Sequence, residues 1–484
     1  METKRLAGLE PAAVFHYFEE VCAIPHGSRN TKKISDYLVD FAKEHGLRYI
    51  QDAANNVILF GNGTCGMENH APVILQGHMD MVCEKDMDCP LDMEKEGLDV
   101  THDDKFVFAK GTTLGGDDGI AVAMALAVLD AKDLAHPRLE CLFTIDEETG
   151  MDGAVGFDAS ILQGKRLLNI DSEEEGILTV SCAGGAHAAV RIPMTANECA
   201  LDSAEIRISG LKGGHSGAEI DKGRANATIT LGRVLQALVD KLEVRLVSAE
   251  GGLKDNAIPN AARAVIALED GKLPRAQEIC AELQDTFRRE YAAADPDVTV
   301  TFTPGTVASQ ALTLRDTKKV CCFLGLYPNG IESMSMDIPG LVQTSCNLGI
   351  FKVNGSGLEG SGSVRSSIAS RKQLLLRRIG LLAEGLDGTL CVSGEYPAWE
   401  YRRESHLRDV MCKVYKDQCG QDMKVEAIHA GLECGLFCGK IPGLDAVSFG
   451  PNLYDIHTVK EHMSISSVQR VYAYLCAVLQ ALKD

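Results

Sequence analysis

Several features are scarce in this sequence of 484 residues, and each scarcity excludes a class of protein. Basic residues are outnumbered, with 48 Lys and Arg against 68 Asp and Glu. The formal charge of −20 argues against a nucleic-acid-binding protein, which needs a basic surface. Long apolar runs are also missing. The most conspicuous one, Gly119 to Leu129, is flanked by Asp118 and Asp130 and is shorter than the about 20 residues of a membrane span.

The spacing of the cysteines is not that of a structural zinc site or of a disulfide-bonded domain. The sequence has 17 of them, but no CxxC pair, which disfavours both a structural zinc site and a set of disulfides. The N-terminus also lacks the apolar core of an export signal. We therefore expect a cytoplasmic protein with reduced thiols, without a membrane or nucleic-acid partner.

Helical and β-rich segments alternate over the first 185 or so residues. Strand-like runs at Val73–Gln76, Leu139–Ile145 and Leu167–Ile170 accompany an Ala-rich helical stretch, Ile120–Leu129. After Gly184-Gly185 the pattern changes to alternating strands mixed with long helices. From about Tyr396 the pattern of the first section returns. The sequence thus predicts an α/β domain formed by residues 1–185 and 396–484, interrupted by an inserted domain of residues 186–395.

Two glycine-rich segments lie within this insert. Gly355-Ser-Gly357 and Gly360-Ser-Gly362 are both predicted to be exposed turns.

Acidic and histidine side chains follow the predicted strands. The first strand runs into His78-Met-Asp80, the second into Asp146-Glu-Glu148, and the third into Asp171, while a glycine-rich loop carries Asp117 and Asp118 into a helix. In open α/β sheets, ligands bind beyond the carboxyl ends of the strands, so these clusters should converge.

One such cluster alone is more often a turn or a solvated face than a site. Together, so many carboxylates require a cation, and mixed His and carboxylate ligands suit zinc or a similar divalent metal.

The motifs resemble those of the dizinc peptidase superfamily, which includes carboxypeptidases, deacylases and carnosinases. Within it, the motifs are most similar to those of the aminoacylhistidine (Xaa-His) dipeptidases. The segments that carry the resemblance are Gly77-His-Met-Asp80, Gly115-Gly-Asp-Asp118, Glu148-Thr-Gly-Met-Asp-Gly-Ala, Asp171-Ser-Glu-Glu-Glu-Gly, Cys182-Ala-Gly-Gly and His429-Ala-Gly-Leu-Glu-Cys-Gly-Leu-Phe437. It implies a mixed-sheet catalytic domain interrupted by an α+β lid and dimerisation domain.

The resemblance also implies a set of roles. Two divalent ions are expected, zinc first, with cobalt or manganese as alternatives. His78 and Asp171 would bind one ion, Glu148 and a late histidine the other, and Asp117 would bridge them. The late histidine would be His457, with His462 as the competing choice. Glu147 would act as general base toward a metal-activated water, and Asp80 would orient His78.

Two substrate-binding residues are implied in the insert. His215 would stabilise the oxyanion in a partner subunit's site, which would make the protein a homodimer. Arg365 would bind the terminal carboxylate of the substrate, with Arg371 as a rival. Glu433 falls in a loop that relatives place near the substrate, and Asp118, if ionised, would add negative charge to the centre.

The implied function is hydrolysis of dipeptides with C-terminal histidine, with carnosine as a candidate substrate. Alternatives are an N-acyl-amino-acid deacylase, a tripeptidase or a carboxypeptidase of the same superfamily. A catalytically silent metal-binding scaffold is the alternative from another class.

Overall fold

The computed structural model describes residues 5–483, and the chain divides into two units. Unit 1 contains the described residues up to Ser181, the segment Tyr401–Ala427, and the described residues from Leu432 onward. Unit 2 contains Cys182–Glu400 and the short segment Ile428–Gly431. The predicted fold class, an α/β domain interrupted by an inserted α+β domain, is confirmed.

Unit 1 is built from helices and strands in alternation. Before the insert, its elements are α1 (Ala12–Cys22), α2 (Lys32–Glu44), β1 (Arg48–Gln51), β2 (Val57–Gly61), β3 (Val73–His78), β4 (Val100–His102), β5 (Phe106–Ala109), α3 (Gly116–Asp130), β6 (Leu139–Thr144), α4 (Asp152–Gly156), β7 (Arg166–Asn169) and β8 (Ile177–Cys182).

The elements of unit 2 follow: β9 (Gly184–Pro193), β10 (Ala196–Ser209), β11 (Gly214–His215), α5 (Ala227–Lys241), β12 (Arg245–Gly251), β13 (Ala257–Ile258), β14 (Ala262–Leu268), α6 (Leu273–Glu290), β15 (Thr299–Pro304), β16 (Ala308–Leu312), α7 (Leu314–Leu326), β17 (Gly330–Met334), β18 (Val342–Asn354), β19 (Gly357–Ser366), α8 (Ala369–Gly385) and β20 (Thr389–Tyr396). The chain ends with α9 (His406–Cys419), β21 (Lys424–Ile428), α10 (Glu433–Lys440), β22 (Asp445–Ser448), β23 (Leu453–Tyr454), β24 (His462–Ser464) and α11 (Ile465–Ala481).

The main sheet of unit 1 is mixed, with the order β1-β2-β6-β3-β7-β22-β8-β21. Its centre is parallel: β3 pairs with both β6 and β7, and β7 pairs with β22. Every residue of β3, β6 and β7 is buried, as expected for central strands that are covered on both faces. Because these strands run in the same direction, the segments that follow them leave from one edge of the sheet.

Helix α3 is apolar around its whole circumference. Its residues from Ile120 to Val128 are all buried, and the helix contacts α1 and β3. A helix without a polar face must be buried on all sides. It therefore fixes the position of its own N-terminal residues, Asp117 and Asp118, inside unit 1.

The sheet of unit 2 has the order β15-β10-β14-β12-β18-β19-β9-β20. It contains two similar halves: β10, α5, β12, β14, α6 and β15 form one, and β9, α7, β18, β19, α8 and β20 form the other. The halves join by antiparallel pairing of β12 with β18, for example Glu250 with Lys352.

The prediction of an exposed turn at Gly360-Ser-Gly362 is wrong, whereas the turn at Gly355 is present between β18 and β19. Gly360 and Gly362 are buried within β19. A Cβ at Gly360 would lie 2.8 Å from the Phe323 ring, so glycine here permits close packing rather than a turn.

In the part of the chain that the structure describes, no helix is both long and apolar enough to cross a membrane.

Candidate metal centre

Three neighbouring strands of unit 1 deliver the predicted site residues to one edge of the sheet. His78 is the last residue of β3 and is in register with Thr144 at the end of β6. Glu147 and Glu148 follow β6, and Asp171 follows β7. The parallel register therefore brings together residues that the chain separates widely, as expected for the carboxyl edge of an α/β sheet.

His78 faces two carboxylates. Its Nε2 atom lies 3.1 Å from Asp117 Oδ1 and 3.6 Å from Asp171 Oδ1, and its side chain is almost fully buried. Burial alone would lower the pKa of His78, but its contacts with Asp117, Asp171 and Asp80 raise that pKa well above the ordinary value.

His457 forms a second group on the other side of Asp117. Its Nε2 atom lies 3.2 Å from Asp117 Oδ2 and 2.9 Å from Glu148 Oε1. These two contacts raise the pKa of His457 to about 10. Asp117 thus presents one oxygen to each histidine, which is the arrangement a bridging ligand requires.

The donor set is suited to metal ions. One ligand atom from each of His78, Asp117 and Glu148 lies within 4.8 Å of the others, and the same is true of His78, Asp118 and Asp171. Imidazole nitrogen and carboxylate oxygen are ligands of zinc and of similar divalent ions. Cations placed among these groups would balance the negative charges that otherwise oppose one another here.

Asp118 lies directly beside this group and is fully buried. Its Oδ2 accepts a hydrogen bond from the backbone N–H of His78 at 3.2 Å. Burial, followed by the charge of Asp171, raises the pKa of Asp118 well above its ordinary value. The raised pKa opposes ionisation of Asp118, and so opposes the added negative charge that an ionised Asp118 would bring.

Asp80 contacts both the imidazole of His78 and the backbone of Glu147. Its carboxylate accepts hydrogen bonds from the backbone N–H of Glu147 at 3.0 Å and from Ser28 Oγ at 2.8 Å. His78 Nδ1 lies 2.9 Å from the Asp80 carbonyl oxygen and 3.5 Å from the carboxylate. The backbone of Asp80 is therefore the nearer partner of the imidazole, and the carboxylate also positions the loop that carries Glu147.

Glu147 is buried close to several other acidic side chains. Burial first, and then the charges of Asp171, Glu433 and Glu148, raise its pKa well above the ordinary value. Among residues 5–483 no hydrogen bond engages its carboxylate. A carboxylate with a raised pKa and free oxygens beside a metal-binding group is suited to proton transfer.

Glu461, which the sequence does not predict as a site residue, supports the loop before Asp117. It is buried, and its two carboxylate oxygens accept backbone N–H groups of the loop that leads to Asp117: Leu114 at 2.8 Å, Gly115 at 3.2 Å, Gly116 at 2.8 Å and Asp117 at 3.4 Å. Glu461 lies four residues after His457, and no local sequence pattern indicates that it contacts the loop of residues 114–117.

The expectation that Glu433 lies in a loop is wrong, because it is the first residue of α10 and is fully buried. Its Oε2 accepts hydrogen bonds from Thr144 Oγ1 at 2.7 Å and Gln76 Nε2 at 2.5 Å. Burial is the main cause that raises its pKa to about 8.

His462 is placed apart from the carboxylates that surround His457. It lies in β24, stacks on Tyr454 with ring centroids 5.0 Å apart, and contacts Phe106 edge-on. Of the two candidate late histidines, the structure brings His457 against Asp117 and Glu148.

A second polar group lies within unit 2. Arg365 Nη1 donates to Tyr396 Oη at 3.1 Å, and His429 Nε2 lies 2.7 Å from Ser345 Oγ. In the described part of the chain, Arg365 Nε is buried without a hydrogen-bond partner. The rival Arg371 is exposed at the start of α8.

His215 joins this group and has a defined tautomer. Its Nδ1 accepts backbone N–H groups of Gly217 at 3.3 Å and Ala218 at 3.0 Å. A neutral imidazole that accepts at Nδ1 carries its proton at Nε2. Burial and then the nearby Arg365 lower the pKa of His215, which favours this neutral donor.

The fold and the group around Asp117 together define a hydrolase of the two-metal type as the candidate class, because an acid free to transfer a proton lies beside two sets of metal-ligand atoms. The chain belongs to peptidase family M20/M25/M40, whose model matches residues 74–481, which makes the protein a hydrolase of peptide bonds.

Known relatives extend over nearly the whole length. The chain is 34% identical over 479 residues to the cytosol non-specific dipeptidase of Escherichia coli (strain K12), covering 99% of each protein. It superposes on the crystal structure of the aminoacylhistidine dipeptidase from Vibrio alginolyticus with a TM-score of 0.94, at 34% identity and 98% coverage of both chains. An aminopeptidase PepT from Bacillus cereus, at 15% identity and a TM-score of 0.55, shares the fold. The resemblance inferred from the motifs is confirmed.

Proposed function

We propose that the protein is a dipeptidase that hydrolyses dipeptides with C-terminal histidine. The observation that carries the proposal is the position of Asp117, which presents one oxygen to His78 and the other to His457 while Glu147 stands free beside them. The full-length similarity to two dipeptidases, one of them an aminoacylhistidine dipeptidase, supports the reaction and the substrate class.

Two divalent ions, zinc first, would be held by two sets of side chains that share Asp117. His78 and Asp171 complete one set, and Glu148 and His457 the other. When bound, such ions lower the pKa of a water and polarise the scissile carbonyl. Cobalt and manganese accept the same nitrogen and oxygen ligands.

Side chains of the protein would carry out the proton transfer and hold the reacting groups in position. Glu147 accepts the proton of the attacking water and returns it to the leaving amine. Asp80 holds the backbone of Glu147 and, through its carbonyl, the ring of His78. This keeps the base and the ligand in fixed relation.

The family resemblance also implies residues that would bind the substrate. His215, which donates through Nε2, would stabilise the negative charge that develops on the carbonyl oxygen. Arg365, with its unpartnered Nε, would bind the terminal carboxylate. In line with the family resemblance, we propose a homodimer in the cytoplasm, and the E. coli relative is named as a cytosolic enzyme.

A substrate panel with and without a chelator tests the proposal. We expect Xaa-His dipeptides to be hydrolysed, acyl-amino acids, tripeptides and longer peptides to be poor substrates, and chelation to abolish turnover. Preference for an acyl-amino acid, a tripeptide or a longer peptide would instead identify the corresponding deacylase, tripeptidase or carboxypeptidase. Metal binding without any turnover would identify a silent scaffold.

A further inference from the structure

Helix α10 lies against the segment that carries Glu147 and Glu148. This segment, residues 144–157, runs from the last residue of β6 through both acids to Phe157, the residue after α4. Both α10 and the segment belong to unit 1. The rings of Phe157 and of Phe437 in α10 are buried and meet at an angle of 78°, with centroids 6.2 Å apart. The helix and the segment therefore share part of the core of unit 1.

Glu433, the first residue of α10, contacts the start of the segment. Its Oε2 accepts hydrogen bonds from Thr144 Oγ1 at 2.7 Å and from Gln76 Nε2 at 2.5 Å. Thr144 lies three residues before Glu147, and Gln76 lies two residues before His78. One end of α10 is therefore bonded to two of the strands whose carboxyl ends lead into the metal centre.

Lys440, the last residue of α10, contacts the end of the segment. Its Nζ donates to the carbonyl oxygens of Ala154, Val155 and Phe157 at 2.7, 2.6 and 2.8 Å. The last carbonyls of a helix lack partners within the helix, and a cation beside them is stabilising. The three donors of the ammonium thus match three acceptors at the carboxyl end of α4. Helix α10 contacts both ends of the segment that carries the two acids.

Helix α4 is itself bonded to the loop that carries the acids. The backbone N–H of Gly153 donates to the carbonyl of Ile145 at 3.0 Å, and that of Met151 donates to the carbonyl of Glu147 at 3.0 Å. Asp146 and Met151 have φ values of 54° and 59°, which residues other than glycine adopt rarely. Such a backbone persists only where the surrounding structure holds it. A displacement of α4 would therefore be transmitted to Glu147.

We propose that Lys440 is a positioning residue. Together with Glu433 at the other end of α10, it fixes the place of Glu147 and Glu148 relative to the other groups of the metal centre. This inference rests on the proposed function, in which Glu147 is the general base and Glu148 binds one of the two ions, and it adds the helix that holds both acids in place.

Removing the ammonium group tests the inference in the metal-loaded full-length enzyme. Lys440→Met keeps the length of the side chain but donates no hydrogen bond. We expect it to lower kcat for Xaa-His dipeptides at least about tenfold, because misplacing a reacting group by about 1 Å can cost about 10²-fold. KM should stay near the wild-type value, because His215 and Arg365, the residues proposed to bind the substrate, lie outside the segment. Lys440→Arg should recover most of the loss.

Zinc titrations against a competing chelator give a second measurement. Lys440→Met should weaken the binding of the ion held by Glu148 and His457 about 10–100-fold, as for other groups that orient metal ligands. In a His457→Ala background, which should retain only the ion held by His78 and Asp171, the same substitution should leave the affinity unchanged. Lys413→Met, at an exposed lysine of α9, is the matched control and should keep the wild-type kcat and zinc affinity.

The outcomes separate the two proposals. Wild-type kcat in Lys440→Met overturns the inference. An equal loss of zinc affinity in the wild-type and His457→Ala backgrounds also overturns it, because that result would indicate a general loss of structure. A wild-type enzyme that hydrolyses no Xaa-His dipeptide overturns the proposed function, whereas the zinc titrations need no substrate and still test α10. If Lys440→Met folds poorly, Lys440→Gln serves in the same experiments.

Discussion

Glu461 accepts a hydrogen bond from the backbone N–H of Gly116 at 2.8 Å, and thereby holds the loop that positions Asp117. In Glu461→Gln one of the two acceptor oxygens becomes an NH2 group, so the backbone N–H groups bonded to that oxygen lose their partner, at a cost of about 1–3 kcal/mol for each buried group. We expect Glu461→Gln to lower the melting temperature and to weaken zinc binding about 10–100-fold, as for other partners that orient metal ligands. A zinc titration against a competing chelator measures this, and the exposed Glu404→Gln is the control. Unchanged affinity would show that the Asp117 loop holds its shape without Glu461.

Glu147→Gln should separate chemistry from metal binding. The amide cannot accept a proton, so kcat is expected to fall by about 10²–10⁴-fold while the metal content stays at the wild-type level. Elemental analysis and steady-state kinetics on one preparation check both points. Glu174→Gln, at an exposed acid of the segment after β7, should retain activity. Full activity of Glu147→Gln would refute its role as the base.

The two late histidines should differ in metal stoichiometry. Because His457, and not His462, lies against Asp117 and Glu148, His457→Ala should lose one of two ions. His462→Ala should keep both, since that ring packs on Tyr454. Metal content after dialysis against a weak chelator gives the answer, and the reverse pattern would exchange the assignments.

The role proposed for Arg365 predicts a specific loss. In the wild type, converting the C-terminal carboxylate of a dipeptide to an amide should raise KM, because a charge-assisted hydrogen bond is lost. In Arg365→Ala, the KM for the free dipeptide should rise about 10–100-fold, while the amide is affected little, in keeping with about 1.5–3 kcal/mol for such a bond. Arg371→Ala should behave as the wild type. Equal losses for both substrates in Arg365→Ala would indicate a structural role.

Glu433 should make the stability of the metal-free protein depend on pH. Burial raises its pKa in the folded state to about 8, against an ordinary value of 4.5. Between these values the folded state retains a proton that the unfolded state releases, so this contribution to stability is lost as the pH rises from about 4.5 to 8. Melting temperatures in chelator from pH 5 to 8 should fall less steeply for Glu433→Gln than for the wild type. Parallel curves would contradict the raised pKa.

The outline of unit 1 could be predicted from sequence because its signals are local. The runs Val73–Gln76 and Leu139–Ile145 are apolar, bounded by polar turns, and appear as β3 and β6. The residues at their ends follow from the rule that ligands lie beyond the carboxyl edge of such strands. The turn predicted at Gly355 is present, whereas the turn predicted at Gly360 is not, because Gly360 packs against Phe323, a residue distant in sequence.

The remainder of the centre could not be predicted because it depends on contacts between distant segments. Glu461 reaches a loop more than 340 residues earlier, and Glu433 reaches Thr144 across 289 residues. Acids such as these look like solvated charges until the fold buries them.

The contact between His457 and Asp117 joins residues that are 340 positions apart. On the ribosome, His78, Glu148 and Asp171 emerge long before this last histidine and the neighbouring Glu461. A chain interrupted anywhere within unit 2 would hold most of the acids of the centre and neither of these two residues. If the proposed function holds, a chain that ends before His457 lacks one of the proposed metal ligands and is expected not to hydrolyse peptides.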